Sequence, residues 1–313
     1  MGLEAFGLEL ATQSCMNFAM TKMVLLGFVL LVSTQGFANG VAQTISIDPL
    51  SDYKARACSE LPFSKIHSIQ FPHLNVAYVE ANLLEEAKSI LKSAELATTE
   101  LNEFFGITYK SPYTIYLLKT RESLDNFLGQ KTQDYVVGFA YTNFDNIILS
   151  ESEWTAKSKA NVKTPSLVKH EMIHSYIYQM VDPDSTNPCL YGITNEINVH
   201  WLDEGFATYV SGQLGDWKHR VKTGNETPAT ILQSLVKGNY ATSATVVELL
   251  FQEKGKDFVV NLIKLINQPT DSTAPQLSRN EKIVKALGGH EAYLVFNDTW
   301  KNHLRKNYPE VKN

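Results

Sequence analysis

The chain has 313 residues, of which 44% are hydrophobic and 19% charged, the composition of an ordinary globular protein. This length allows one large domain or two small ones. The formal net charge is −5 and the sequence contains no basic block, so we expect no nucleic acid partner.

The N-terminal segment has the pattern of an export signal. Lys22 precedes the apolar run Met23–Val32, and the small residues Gly36 and Ala38 that follow fit a signal-peptidase site. This order predicts a signal peptide over residues 1–38, with cleavage before Asn39. Because the run is too short to span a bilayer comfortably, we expect no stable membrane span after leader removal. The sequence therefore predicts a secreted or periplasmic protein.

The first residues fit a signal peptide poorly. Residues 1–19 contain two Glu and neither Lys nor Arg, whereas the start of a signal peptide is positively charged. We therefore interpret Met20 as the start of translation. Cys15 falls within residues 1–38, which leaves Cys58 and Cys189 in the mature chain. An even number of cysteines in an exported protein is compatible with a disulfide between them, and two buried thiols are the alternative.

The rest of the chain divides into a short extension and a larger domain. Residues 39–64 show no clear periodicity and are expected to form an N-terminal extension, and residues 65–313 form the domain. Strand patterns and an amphipathic helix ended by Gly106 occupy residues 65–160, and helical patterns occupy residues 164–313. This order predicts an α+β fold, with a small mixed sheet followed by a mainly helical half. The predicted elements of the first part are strand His73–Val79, helix Glu85–Phe105, strand Tyr113–Leu118 and the hairpin strands Val136–Tyr141 and Asn146–Leu149.

The sequence His-Glu-Met-Ile-His, from His170 to His174, is the most informative motif. On a helix, residues i and i+4 share a face, so both imidazoles can bind one zinc ion at about 2.0–2.1 Å. Glu171 lies about 100° further round the helix. It therefore misses the metal but can face a bound water as general base. Thr164 and Pro165 are predicted to start the helix as N-cap and first helical residue. The alternative is a helix with two histidines satisfied by ordinary hydrogen bonds.

A second motif offers a carboxylate. Residues Trp201–Tyr209 read W-L-D-E-G-F-A-T-Y on an apolar segment expected to be helical. This stretch downstream of H-E-x-x-H resembles the gluzincin zinc metallopeptidases, the peptidase MA-like group related to aminopeptidase N and thermolysin-type catalytic domains. The resemblance covers about residues 70–267 and implies Glu204 as the third ligand of one Zn²⁺ per chain. The gap after His174 is longer than in the aminopeptidase N type, so we interpret residues 182–198 as a loop insertion.

Tyr240 is a candidate for stabilising the transition state. A zinc ion with Glu171 can produce hydroxide near neutral pH, and the resulting tetrahedral intermediate needs a second donor besides the metal. In aminopeptidase-like relatives this donor is a Tyr ahead of a helix that ends in a Gly. Here Tyr240 precedes the helical pattern of residues 241–254, and Gly255 follows. A half-buried packing role is the alternative for Tyr240, and Tyr209 is the second candidate for the donor.

Together these motifs predict an exported zinc metallopeptidase that acts on a peptide or protein substrate, with Glu171 as general base. The strand Asn146–Leu149 is expected to be the sheet edge, along which an extended peptide can pair. The G-x-M-E-N stretch that holds the free amine in related aminopeptidases is absent, which leaves endo- and exopeptidase modes open. Two alternatives also stay open: a non-catalytic binding protein on the same scaffold, and a zinc hydrolase of a non-peptide bond.

Overall fold

A computed structural model describes most of the predicted domain. The described residues are 67–71, 74–109, 113–128, 131–132, 134, 136–140, 146–153, 163–181, 201–223, 230–233, 240–268 and 277–309. They all belong to one compact unit, Asp48–Asn313. Several predictions concern residues outside the described part and stay predictions: the signal peptide, the start at Met20, the 39–64 extension, the pairing of Cys58 with Cys189 and the 182–198 insertion. Among the described residues, no helix is long and apolar enough to cross a membrane.

The described strands form one five-stranded mixed sheet in the order β1-β2-β3-β5-β4. The parallel strands β2, β3 and β5 form its middle, and β1 and β4 each pair antiparallel with the neighbouring strand on the outside. The register places Leu74 opposite Tyr113 and Ile115 opposite Asn146. The strand bounds are β1 His67–Phe71, β2 Leu74–Tyr78, β3 Tyr113–Leu118, β4 Gly138–Ala140 and β5 Asn146–Leu149.

The sheet edge next to the helical half is β4, so the prediction that Asn146–Leu149 forms this edge is wrong. The strand β5 lies between β3 and β4, and all four of its residues are buried. Burial on both faces is typical of a parallel strand inside a sheet, whereas the three residues of β4 are partly exposed. The hairpin itself is confirmed, with Gly138 opposite Ile148 and Ala140 opposite Asn146.

Within the described part of the chain, every element after Thr164 is helical, which confirms the α+β prediction of a small sheet followed by a mainly helical half. The helix bounds are α1 Leu84–Phe105, α2 Arg121–Leu128, α3 Thr164–Val181, α4 Trp201–Val210, α5 Gln213–Trp217, α6 Tyr240–Lys254, α7 Lys256–Asn267, α8 Arg279–Ala286 and α9 His290–Asn307. Short 3-10 turns occupy Ala81–Leu83, Lys218–Arg220 and Ile231–Gln233.

Helix α1 forms where the apolar period predicts it. Its buried residues recur at three- and four-residue spacing, and Gly106 ends it in the left-handed region at φ 66°. Helix α3 begins one residue earlier than predicted. The carbonyl of Lys163 accepts from the Leu167 amide, and the Thr164 hydroxyl donates to Glu151 at 2.8 Å. Thr164 is therefore the first helical residue rather than the N-cap.

Helix α3 lies between the sheet and the helical half. It packs against α1, β4 and β5 on one side and against α4 and α7 on the other. Tyr176 illustrates this burial, since its ring stacks on Phe105 with centroids 5.3 Å apart and its hydroxyl donates to Asn102 at 2.8 Å. Burying one such large side chain stabilises the fold by about 1.5–3 kcal/mol. Because nearly the whole helix is buried, each polar side chain on it needs a partner inside the protein.

Candidate metal centre

Helix α3 presents two histidines to one point, as the H-E-x-x-H spacing predicts. His170 and His174 are 5% and 8% exposed, although most histidines stay at least partly in water. Their Nε2 atoms lie 3.3 Å apart, and the rings meet edge to face with centroids at 5.0 Å. The four-residue helical spacing thus brings both nitrogens together inside the protein.

Helix α4 packs against α3 and brings Glu204 to the same point. One carboxylate oxygen, Oε2, lies 3.2 Å from Nε2 of His170, and Oε1 lies 3.6 Å from Nε2 of His174. Glu204 is 8% exposed, so the three side chains form a buried cluster. The structure therefore brings together the three residues that the sequence motifs predict as ligands.

A glycine lets α4 approach α6 closely beside this cluster. A Cβ on Gly205 would lie 2.7 Å from the backbone carbon and oxygen of Ser243, closer than side-chain atoms come to backbone. Only Gly permits this approach, and Gly205 directly follows the ligand residue Glu204. The sequence motif contains this Gly, but its packing role depends on α6, which lies about forty residues further along the chain.

The spacing of the three side chains fits a metal ion. Ligand bonds of about 2.0–2.1 Å in a tetrahedral arrangement place neighbouring ligand atoms about 3.3–3.4 Å apart. The separations here are 3.2, 3.3 and 3.6 Å. Two imidazoles and a carboxylate are a donor set that zinc accepts, and three protein ligands leave a position open for water. The cluster of His170, His174 and Glu204 can therefore hold a metal ion.

The electrostatics of the cluster also favour a cation. Burial lowers the pKa of His174, and this effect outweighs the attraction of Glu204. For His170 burial acts in the same direction, but the hydrogen bond with Glu204 and the charge of Glu171 leave its pKa raised. Burial opposes ionisation of Glu204, yet the two histidines hold its pKa below the usual range. A bound cation therefore competes with protons for these three groups, and metal affinity should depend on pH.

Glu171 lies beside the cluster without belonging to it. Burial, together with the charge of Glu204, raises its pKa to about 7, although His170 and a hydrogen bond from the backbone of Ala140 oppose this rise. A carboxyl group of this kind exchanges a proton near neutral pH. The sequence analysis predicted that Glu171 is not a ligand but can face a water bound to the metal, and the cluster indeed consists of His170, His174 and Glu204 without Glu171.

The edge strand β4 holds Glu171 from the other side. A Cβ on Gly138 would lie 2.5 Å from Oε1 of Glu171 and 2.9 Å from its Cδ, so any larger residue would displace the Glu171 side chain or the strand. Sequence reasoning missed this role of Gly138. The signal was available, since Gly inside a strand pattern often marks the close approach of another group.

An arginine fixes the segment that leads into β4. The guanidinium of Arg121, at the start of α2, donates to the carbonyl of Asp134 at 3.0 Å and to the carbonyl of Val136. It also donates to the Thr132 hydroxyl at 2.9 Å. One side chain thus binds two carbonyl groups just before β4, which helps to hold the start of this strand in place.

The structure confirms the helix predicted after Tyr240, with Tyr240 as its half-buried first residue and Gly255 at its end. This helix, α6, packs against α4, which carries Glu204. Tyr209 packs on Phe251 of α6 with ring centroids 5.1 Å apart, in agreement with the packing role that its motif position suggests. The catalytic role of the Tyr240 hydroxyl stays a prediction.

Comparison with known proteins does not identify a family for this chain. No protein-family model matches the chain, and no curated protein does. What stands is a buried cluster of His170, His174 and Glu204 with spacing compatible with a zinc site.

Proposed function

We propose that this protein is a zinc-dependent peptidase of the gluzincin type. The observation that carries the proposal is the arrangement along α3: two buried histidines converge on Glu204 while the glutamate between them stays outside the ligand cluster. A structural metal site needs no such extra carboxylate. A hydrolytic site needs it, because a group must accept a proton from the attacking water.

The reaction proposed is hydrolysis of a peptide bond. Zinc held by His170, His174 and Glu204 would supply a Lewis acid that activates a water. Glu171 would take a proton from the attacking water as the water oxygen bonds to the carbonyl carbon. It returns the proton to the nitrogen when the C–N bond breaks, so the products are an acid and an amine. In the metal-free protein burial raises the pKa of Glu171 to about 7, which is the direction required of a group that must hold the proton between these two steps.

The proposed substrate site is the outer side of β4, the last strand of the described sheet. The antiparallel partner β5 occupies the inner side of β4, and no other described strand pairs with β4. An extended peptide can pair with such an edge through backbone hydrogen bonds. Gly138 brings this edge against Glu171, so a peptide paired there would pass beside the proposed base. Tyr240 is proposed as the donor to the developing oxyanion.

The proposal includes export, with residues 1–38 as a cleaved leader. The protein would then meet its peptide or protein substrates in the periplasm or outside the cell. Mass spectrometry of the exported protein tests this directly, with Asn39 or a close neighbour expected at the N-terminus. A soluble product that retains residues 1–38 would contradict export.

The test is cleavage of a peptide mixture by residues 39–313, with and without zinc. We expect cleavage that depends on zinc, and a loss of about 10²–10⁴-fold in Glu171→Gln with its zinc content unchanged. Glu248→Gln, a change of the same chemistry on α6 away from the cluster, is the control and should cleave at the wild-type rate. Full activity in Glu171→Gln would reject Glu171 as the base. Zinc binding without cleavage of any peptide would favour a hydrolase of another bond or a binding protein.

A further inference from the structure

Two complementary polar atoms beside the metal cluster are buried and lack a hydrogen-bond partner among the described residues. They are Nδ1 of His170 and the amide oxygen Oε1 of Gln213. Gln213, the first residue of α5, is only 1% exposed. Since buried polar groups are almost always paired, two unpaired atoms of opposite character at one site call for a functional explanation.

The amide of Gln213 has a defined orientation. Its nitrogen donates to the carbonyl of Ser166 at 3.3 Å, one helical turn before His170 on α3. The reverse orientation would turn the amide oxygen toward that carbonyl, and two acceptors cannot bond. The hydrogen bond therefore directs Oε1 away from Ser166.

The geometry of α3 brings the two atoms toward each other. Side chains on a helix lean toward the preceding turn, so the His170 ring extends over the turn of Ser166, where the Gln213 amide is held. Neither Nδ1 of His170 nor Oε1 of Gln213 has another hydrogen-bond partner among the described residues. Burial lowers the pKa of His170, whereas Glu204 and the side chain of Gln213 raise it, in agreement with an acceptor beside the ring.

We infer that Gln213 is a positioning residue for the metal site: its Oε1 accepts from Nδ1–H of His170 and so keeps Nε2 of that ring bare and aimed at the ion. A neutral imidazole carries one proton, so a proton held on Nδ1 leaves the lone pair on Nε2 for a metal. Nε2 is also the nitrogen that faces His174 and Glu204. This inference rests on the proposed metal site and deepens it.

The test uses two variants that differ in the acceptor. Gln213→Leu keeps an apolar side chain of similar length and removes Oε1, whereas Gln213→Glu keeps an acceptor at the same place. The zinc dissociation constant is measured by competition with a chelator at fixed pH. We expect about a 10–100-fold weaker affinity in Gln213→Leu and a value within a few-fold of wild type in Gln213→Glu.

Thermal melting of the metal-free proteins separates positioning from packing. Both variants lose the amide nitrogen that donates to Ser166, so we expect a lower melting temperature for both metal-free proteins, whereas only Gln213→Leu should lose zinc affinity. An equal loss of zinc affinity in both variants would overturn the inference, and so would wild-type affinity in Gln213→Leu. If Gln213→Leu does not fold, Gln213→Met makes the same comparison with a more flexible side chain.

The experiments distinguish failure of the peptidase proposal from failure of the Gln213 inference. A protein that binds zinc, loses affinity in Gln213→Leu and cleaves no peptide refutes the peptidase and leaves the positioning role standing. A wild-type protein that binds no zinc overturns both proposals.

Discussion

Histidine and glutamate meet inside the described helical half both between α3 and α4 and between α6 and α9. At the second place, Nε2 of His303 lies 2.8 Å from Oε2 of Glu248, and the Tyr308 hydroxyl donates to the same oxygen at 2.6 Å. Asn307 lies 2.9 Å from Nδ1 of His303 and completes the ring's hydrogen bonds. We call these four residues the α6–α9 cluster.

The two clusters have similar residues but differ in whether the histidine ring nitrogens have hydrogen-bond partners. In the α6–α9 cluster both ring nitrogens of His303 have a partner, so the cluster is complete as a structural link. In the metal cluster two Nε2 atoms face each other at 3.3 Å, and Nδ1 of His170 has no partner among the described residues. The comparison teaches that residue types alone do not identify a metal site. The hydrogen-bond partners of the ring nitrogens distinguish a metal site from a structural cluster.

The largest expected difference is between His174→Ala and His303→Ala. His174→Ala removes a proposed ligand, so we expect zinc affinity to fall by more than the roughly 100-fold that outer partners cause. Peptide cleavage should fall to background. His303→Ala should keep zinc and turnover but lose about 1–3 kcal/mol of unfolding free energy, since Glu248 loses a buried partner. Metal analysis and denaturant unfolding measure the two effects, and full zinc occupancy in His174→Ala would remove it from the ligand set.

The next comparison is between two tyrosines. Tyr240→Phe removes the proposed oxyanion donor, so kcat and kcat/KM should fall together by about 10²–10³-fold. The KM and the zinc content should stay at the wild-type values. Tyr308→Phe removes a hydroxyl that bonds a carboxylate, so it should cost about 1.5–3 kcal/mol of stability without loss of turnover. Steady-state kinetics and melting of both variants distinguish the roles. Wild-type kcat in Tyr240→Phe would transfer the donor role to Tyr209 or to another residue.

Gly138→Ala tests how β4 positions the base. The added methyl would lie 2.5 Å from Oε1 of Glu171, so the carboxylate or the strand must shift. A displacement of about 1 Å can cost 10²-fold in rate, and we expect a loss of up to that size in kcat/KM with zinc content nearly unchanged. Gly215→Ala is the control, because a methyl on this α5 residue meets nothing within 4 Å. Equal activity of the two variants would mean that Gly138 has no positioning role.

The smallest effect concerns the charge of Glu248. Burial raises its pKa, but hydrogen bonds from His303 and Tyr308 outweigh burial and hold the pKa below the ordinary 4.5. A lowered folded pKa stabilises the fold above the unfolded value and loses this contribution as the pH falls through the folded value. Glu248→Gln should therefore be about 1 kcal/mol less stable at pH 7, and the difference should shrink below pH 4.5. A difference that grows in acid would contradict the assignment.

The sequence predicted those features that depend on local pattern. The apolar period predicted α1, and the alternation of Tyr113–Leu118 predicted β3. The four-residue spacing of His170 and His174 predicted a shared face, and the resemblance added Glu204. These predictions succeeded because each one concerns neighbours within one helix or strand, or a motif that fixes the pair.

The features that the sequence did not predict depend on distant contacts. Whether β4 or β5 forms the edge is decided by which strand pairs with β3, and both strands follow similar patterns. The strand β1 and the short helix α2 were not predicted, because neither has a strong period over its few residues. Gln213 belongs to no motif, and its place near His170 follows from a tertiary contact, the hydrogen bond of its amide to Ser166 of α3.

The central claim is that His170, His174 and Glu204 hold one zinc ion per chain. Zinc X-ray absorption on residues 39–313, together with metal analysis, tests it most directly. We expect about one zinc per chain with imidazole nitrogens at about 2.0–2.1 Å, and His303→Ala should give the same spectrum. Substoichiometric zinc in the wild type, or a spectrum without imidazole ligands, would contradict the claim.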